Sequence, residues 1–267
     1  METDKKVKIV IATHKKYEMP DDLMYLPLHV GAEGTITDLG YSKDNTGNNI
    51  SLKNAGYCEL TGLYWAWKNL REDYIGIVHY RRYFGRRSRH LYDRVLSYEE
   101  LKPELGKIKV FVPRKRKYYI ETLYSHYSHT HYAEHLDLTR KIILKKYPEY
   151  LDSYDTVIRH RYGYMFNMMI MEREWLDKYC TWLFDILFEL ERWVDQGELS
   201  DYQGRFYGRV SEIIFNVWLD KQIKIGALSA DEIKVLPCFY AEKINWGKKG
   251  MAFLKAKLFN KKYEGSF

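Results

Sequence analysis

The sequence predicts an α/β fold, a mostly parallel sheet flanked by helices. Three observations carry this. Val7–Thr13 (V-K-I-V-I-A-T) and Asp73–Tyr80 (D-Y-I-G-I-V-H-Y) are short β-branched runs of the kind that fill buried strands. Between and after them lie segments with apolar residues at helical spacing. The connections are short, and strands alternating with helices give a parallel sheet covered on both faces.

Taken in order, Val7–Thr13 is the first strand and ends in the polar pair His14-Lys15. Residues 20–41 read as irregular, with a short strand around Leu28–Val30. Asp44–Asn49 is a polar turn, and Ser51–Asn69 reads as one helix with Leu52, Ala55, Leu63 and Ala66 at helical spacing. The strand Asp73–Tyr80 then delivers His79-Tyr80-Arg81-Arg82 at its C-terminal end. Lys107–Val112 is a third strand, stopped by Pro113. Two helices follow, about Ile120–His131 and Leu136–Lys146, the second ended by Pro148. Tyr164–Met171 reads as a buried strand, Arg173–Val194 as a long amphipathic helix and Val210–Leu219 as a further helix. Residues 1–245 read as a single domain. Residues 246–267 form a basic amphipathic tail, mixing Met251, Phe253, Leu254, Leu258 and Phe259 with lysines.

The formal net charge of +7 over 267 residues favours anionic partners. Twenty-five Tyr and seven Trp exceed what a core needs, and their flat faces suit sugar and base stacking. Cys58, Cys180 and Cys238 are scattered and odd in number, which argues for a reducing compartment and against a thiolate metal site. No secretory signal and no apolar run long enough to span a bilayer is visible, so a cytoplasmic location is expected. No nucleic-acid-binding signature accompanies the charge.

In an open α/β sheet, ligands bind beyond the C-terminal ends of the strands. Three features meet that description. Ala12-Thr13-His14-Lys15 follows the first strand. Asn48 and Asn49 precede the Ser51 helix, where free N–H groups attract an anion; an ordinary N-cap is the competing explanation. Arg81 and Arg82, among aromatics, offer planar forks that match phosphate oxygens; the competing explanation is a solvated loop. His126, His129, His131 and His135 tempt a metal reading, but their dense helical setting lacks the geometry of a catalytic site, and no metal is expected there. Glu212, read as opening the last helix, is either a dipole partner or a carboxylate that activates an acceptor hydroxyl. The basic run 114–117 reads as a solvated loop.

Ala12–Lys15, Thr46–Asn54, Glu59–Asn69, His79–Phe84, Tyr127-x3-His131, Asn167–Met171, Tyr179–Phe184 and Arg209–Glu212 together resemble a bacterial family of capsular and exopolysaccharide biosynthesis glycosyltransferases, formerly a domain of unknown function. The resemblance implies a GT-A-like (Rossmann-like) fold and sugar transfer from a nucleotide-diphosphate donor. Some members are linked to galactofuranose. It implies a UDP-sugar donor and a glycan or lipid-linked acceptor. Ala12, Thr13, His14, Lys15, Asn48, Asn49, Lys53, His79, Arg81 and Arg82 would bind the donor; Asn167 and Tyr127 would border the acceptor. Glu212 would act as base, with His131 as competitor. The Asp-x-Asp metal motif of GT-A enzymes has His79 and Arg81 in its place, so no metal cofactor is expected. The alternative is a non-catalytic protein of the polysaccharide machinery that binds glycans or nucleotide sugars.

Overall fold

The computed structural model describes residues 4–86, 92–93, 95–194 and 199–241. The tail at 246–267 lies outside them. The chain forms two compact units: one holds the described residues up to Arg114, Phe166–Cys180 and those from Leu228 on, and the other holds Lys115–Met165 and Thr181–Ala227.

The first unit contains the sheet. Its strands are β1 (Val7–Thr13), β2 (Tyr25–His29), β3 (Ser42–Lys43), β4 (Tyr74–His79), β5 (Arg82–Phe84), β6 (Val110–Pro113), β9 (Met169–Glu172), β10 (Ile233–Leu236) and β11 (Cys238–Tyr240). The main path runs β10-β6-β9-β4-β1-β2-β3. β1 lies parallel to both β2 and β4, β2 is parallel to β3, and β6 is parallel to β10. On this path only β9 is antiparallel, to β4 and β6, and off it β5 is antiparallel to β4 and β11, so the sheet is mixed with a mostly parallel main path. Ile9, Val10, Ile11, Ile75, Ile77 and Val78 are fully buried, which is why β1 and β4 read as unbroken apolar runs rather than alternating ones.

The helix expected over Ser51–Asn69 is broken. A 3-10 turn at Ser51–Lys53 leads into α1 (Asn54–Tyr57), and α2 (Leu60–Asn69) starts afresh. Between them Cys58 adopts φ 51°, and the Asn54 amide donates to the Cys58 carbonyl at 2.7 Å and to Thr61 Oγ1 at 3.0 Å. Asparagine competes with the helix for its own backbone in this way. Asp44 fastens the region: its carboxylate accepts from the Gly31 and Ala32 amides and from the Ser51 and Thr61 hydroxyls. Gly62 lets α2 lie close on the sheet, since a Cβ there would meet Val30 Cγ1 at 2.9 Å. α3 (Tyr98–Leu101) opens with a capping box between Ser97 and Glu100.

The second unit is helical, with α4 (Leu123–Thr130), α5 (Glu134–Lys146), α6 (Leu151–Val157) and α8 (Phe206–Lys224), plus one antiparallel pair, β7 (Arg116–Lys117) with β8 (Tyr162–Gly163). α7 (Arg173–Trp193) begins in the first unit and ends in the second. The strand expected over Tyr164–Met171 shrinks to β9, because Phe166 and Asn167 take φ 82° and 49° and cannot continue an extended run. Among the described residues, no helix is long and apolar enough to cross a membrane.

Candidate active site

β1 and β4 end side by side, with Ala12 opposite His79. Their C-terminal ends therefore bring Ala12–Lys15 next to His79–Arg82. Thr13 is buried, and its hydroxyl caps its own turn, donating to the Lys15 carbonyl at 2.6 Å and accepting the Lys15 amide at 3.2 Å. His14 and Lys15 are exposed beyond it. His14 meets the Tyr80 ring edge-on, with centroids 5.3 Å apart. β4 turns through Tyr80-Arg81 into β5, and His79 pairs with Arg82 across that turn.

The two arginines differ. Arg81 is exposed, its guanidinium 5.1 Å from the buried Tyr80 ring. Arg82 is half-buried against two mutually perpendicular rings, 3.7 Å from Phe166 and 4.4 Å from Tyr240, and its buried Nε has no hydrogen-bond acceptor among the described residues. Contact with both rings confines the guanidinium.

His79 Nε2 lies 2.6 Å from the Phe166 carbonyl. A carbonyl only accepts, so Nε2 carries the proton and Nδ1 keeps its lone pair. Burial holds the imidazole below its usual pKa; the Glu59 carboxylate works against this, and Arg82 and Arg81 reinforce it. His79 is therefore neutral at pH 7. Glu59, at the N-terminal end of α2, accepts from the buried Asn167 amide at 2.7 Å. This glutamate was not singled out by sequence reasoning, which placed it inside one continuous helix. A neutral imidazole, two guanidiniums and a carboxylate held by an amide do not fit a hard divalent cation, which takes several oxygen ligands. Among the described residues, no group of three His, Cys, Asp or Glu could hold a metal.

Asn48 and Asn49 sit apart from this cluster in sequence and find partners in their own loop and on α2. Asn49 Oδ1 accepts the Ser51 amide at 3.1 Å, and Asn48 Oδ1 accepts from the Tyr64 hydroxyl at 3.2 Å. Gly47 at φ 56° lets Asn69 approach, and Asn69 grips the Asn48 backbone through both N–H and carbonyl. Lys53 is half-buried at the start of α1. A cavity of about 410 Å³ lined by Asp73, Glu172, Arg173, Glu174 and Asp177 lies at the opposite end of β4 from His79 and plays no part in this cluster.

Over residues 8–223 the chain matches the family described as Domain of unknown function (DUF4422). It belongs to that family. A solved structure titled as the apo form of WbbM, a bifunctional glycosyltransferase, superposes with a TM-score of 0.82 at 29% identity. The match covers 89% of this chain and 46% of that one, so this chain spans about half the length of WbbM. No curated protein sequence matches significantly. The DUF4422 chain thus has the GT-A-like α/β fold of a glycosyltransferase.

In the second unit of this DUF4422 chain, the other candidates gather around Arg209. α8 begins at Phe206, four residues earlier than the sequence suggests, so Glu212 stands in the second turn and the helix has no acid in its first. Its reading as a helix-dipole partner is thereby removed. Glu212 is half-buried, and its backbone carbonyl accepts from Asn216, whose amide also clamps Tyr164 through both backbone groups. His131 is buried, its Nδ1 lying 3.0 Å from Gln203 Oε1 and 3.3 Å from Arg209 Nη1. Burial, aided by Arg209, pushes its pKa down to about 3. This takes from His131 the near-neutral pKa on which its place as Glu212's competitor rests. Tyr127 is also buried, its hydroxyl 2.9 Å from His135 Nδ1. His126 and His129 donate to the buried Glu121 at 2.8 and 2.6 Å. Burial alone would raise the Glu121 pKa, but these two bonds outweigh it and hold the carboxyl below its usual range. The four histidines thus serve hydrogen bonds within the unit.

Proposed function

We propose that the protein is a cytoplasmic glycosyltransferase that moves a sugar, galactofuranose or galactose, from a UDP-sugar to a growing lipid-linked capsular or exopolysaccharide repeat unit. The observation that carries this reading is the arginine pair at the end of β4, Arg81 exposed and Arg82 held against two rings, with His79 and Arg81 at the positions that the resemblance assigns to the metal-binding carboxylates of GT-A enzymes. Fixed positive charge next to a strand end suits a leaving pyrophosphate.

In this reading Arg82 and Arg81 take up the charge that develops as the donor bond breaks, the part a divalent ion plays elsewhere. Ala12, Thr13, His14, Lys15 and neutral His79 surround the donor beside them, with Asn48, Asn49 and Lys53 as further donor contacts. Asn167 and Tyr127 belong to the acceptor side, and Glu212 removes the proton of the attacking hydroxyl if the anomeric carbon inverts. No metal cofactor is needed. The tail at 246–267 supplies a peripheral contact with the inner membrane face.

Two measurements test this. Thermal shift against a panel of nucleotide sugars identifies the donor, since a bound ligand raises apparent stability. Transfer is then assayed in excess EDTA, where full activity is expected. Activity that vanishes with chelator and returns only with manganese would sink the metal-free reading. Sugar-nucleotide or glycan binding without transfer or hydrolysis would favour a non-catalytic binding protein.

A further inference from the structure

In the second unit, the chain between β7 and α4 reverses within three residues. The Ile120 amide donates to the Tyr118 carbonyl at 2.6 Å, with Tyr119 at φ 58°. Three-residue turns with positive φ at the centre are rare and strained, the more so for a bulky side chain. The strain does not serve burial: Tyr119 is 77% exposed and Ile120 71%. The turn is nevertheless held in place. The Tyr118 amide donates to the Arg161 carbonyl at 2.8 Å, and Arg161 Nη1 returns a bond to the Tyr119 carbonyl at 3.2 Å.

Around this tip the surface is basic. Lys115, Lys117, Arg159 and Arg161 are all exposed, and residues 115–120 and 158–163 include no Asp or Glu. Among the described residues, the carboxylates that act on Lys115 and Arg159 each hold another cation as well. Asp155 pairs through both oxygens with Arg140 at 2.7 Å, and Asp220 lies 3.0 Å from Lys224. Glu121, next in the chain, is buried under His126 and His129.

We propose that this tip is a docking surface for an anionic phospholipid bilayer. Tyr119 and Ile120 enter the headgroup–acyl boundary while the four cations meet headgroup phosphates. A tyrosine suits that boundary because its ring is apolar and its hydroxyl is wet. A nucleic-acid groove has no use for the exposed Ile120, and a dissolved phosphate has none for either apolar side chain.

The test is co-sedimentation of the full chain with phosphatidylcholine vesicles containing about one third phosphatidylglycerol, against phosphatidylcholine alone. Binding is expected only to the anionic vesicles and is expected to survive added inorganic pyrophosphate. Lys117→Ala with Arg159→Ala should weaken it about tenfold or more, each cation being worth about fivefold. Tyr119→Ser with Ile120→Ser, which keeps the charge, should weaken it about tenfold. Unchanged thermal midpoints certify that both variants fold, and loss of wild-type binding in high salt supplies a readout that needs no variant. The tail is present throughout, so a contact made by the tail alone leaves the variants equal to wild type and overturns the proposal. Equal binding to neutral vesicles, displacement by pyrophosphate, or duplex DNA binding that competes with the vesicles overturns it too.

Discussion

Asn167 donates its side-chain amide to Glu59 at 2.7 Å and so ties the turn that enters β9 to the start of α2. The two residues are 108 apart in sequence. Asn167 and Phe166 both hold positive φ, a backbone that persists only where surrounding bonds insist on it. Phe166 passes the constraint on, through its carbonyl to His79 and through its ring to Arg82. Glu59 is therefore a positioning residue for the β4 end.

Glu59→Ala takes an acceptor away from a buried amide and is expected to cost about 1–3 kcal/mol, measured by urea unfolding. Glu59→Gln keeps an acceptor oxygen and should recover most of that loss. Equal stability in the alanine variant and wild type would show that the strained pair is held by something else.

Arg82 and Arg81 should separate in donor affinity, read by calorimetry with the nucleoside diphosphate. Arg82→Ala is expected to weaken binding about tenfold to a hundredfold, as for a lost charged hydrogen bond. Arg82→Lys should restore little, since an ammonium lacks the planar fork that rests against Phe166 and Tyr240. A lysine variant that binds like wild type would reduce Arg82 to a point charge. Arg81, exposed at the turn, should tolerate lysine better.

Glu212→Gln is expected to lower kcat about 10²–10⁴-fold while donor affinity stays near wild type. His131→Gln should leave the pH–rate profile in place, because the histidine stays neutral until about pH 3. An unchanged kcat in Glu212→Gln would remove that carboxylate from the reaction.

Acid should unfold the protein by way of its buried histidines. His131 and His135 are pushed down to about 3 and about 4, by burial first and Arg209 second. Unfolded, each binds its proton near pH 6.5. Between 6.5 and about 4 the unfolded chain thus binds more protons, so stability falls as pH drops through that window and is flat above it. In urea titrations, His131→Gln should flatten that fall by up to about 1.4 kcal/mol per pH unit. A slope shared equally by variant and wild type would mean that His131 is protonated in the native state.

The buried strands were legible in the sequence because β-branched runs such as Val7–Thr13 leave few alternatives. The cluster at the β4 end was legible too, since strand ends locate clefts. What escaped is backbone that ordinary residues hold at positive φ: Cys58 breaks the Ser51–Asn69 helix, and Phe166-Asn167 shortens β9, with no glycine to announce either. Glu59 was hidden behind the first of these breaks. Glu212 was misplaced within its helix because Arg205 and Phe206 offer no capping side chain to mark where α8 begins. Two- and three-residue strands such as β3, β5 and β11 carry too little pattern to be read at all.

The placement of β9 and β10 on either side of β6 has a consequence for how the chain is made. Both neighbours of β6 come later in the sequence, β9 at Met169–Glu172 and β10 at Ile233–Leu236. On the ribosome, Val110–Pro113 therefore waits with neither edge paired until more than fifty further residues have emerged. The β4–β1–β2 core can assemble from the N-terminal third alone, whereas the other half of the sheet is a late, long-range closure that sets the folding rate.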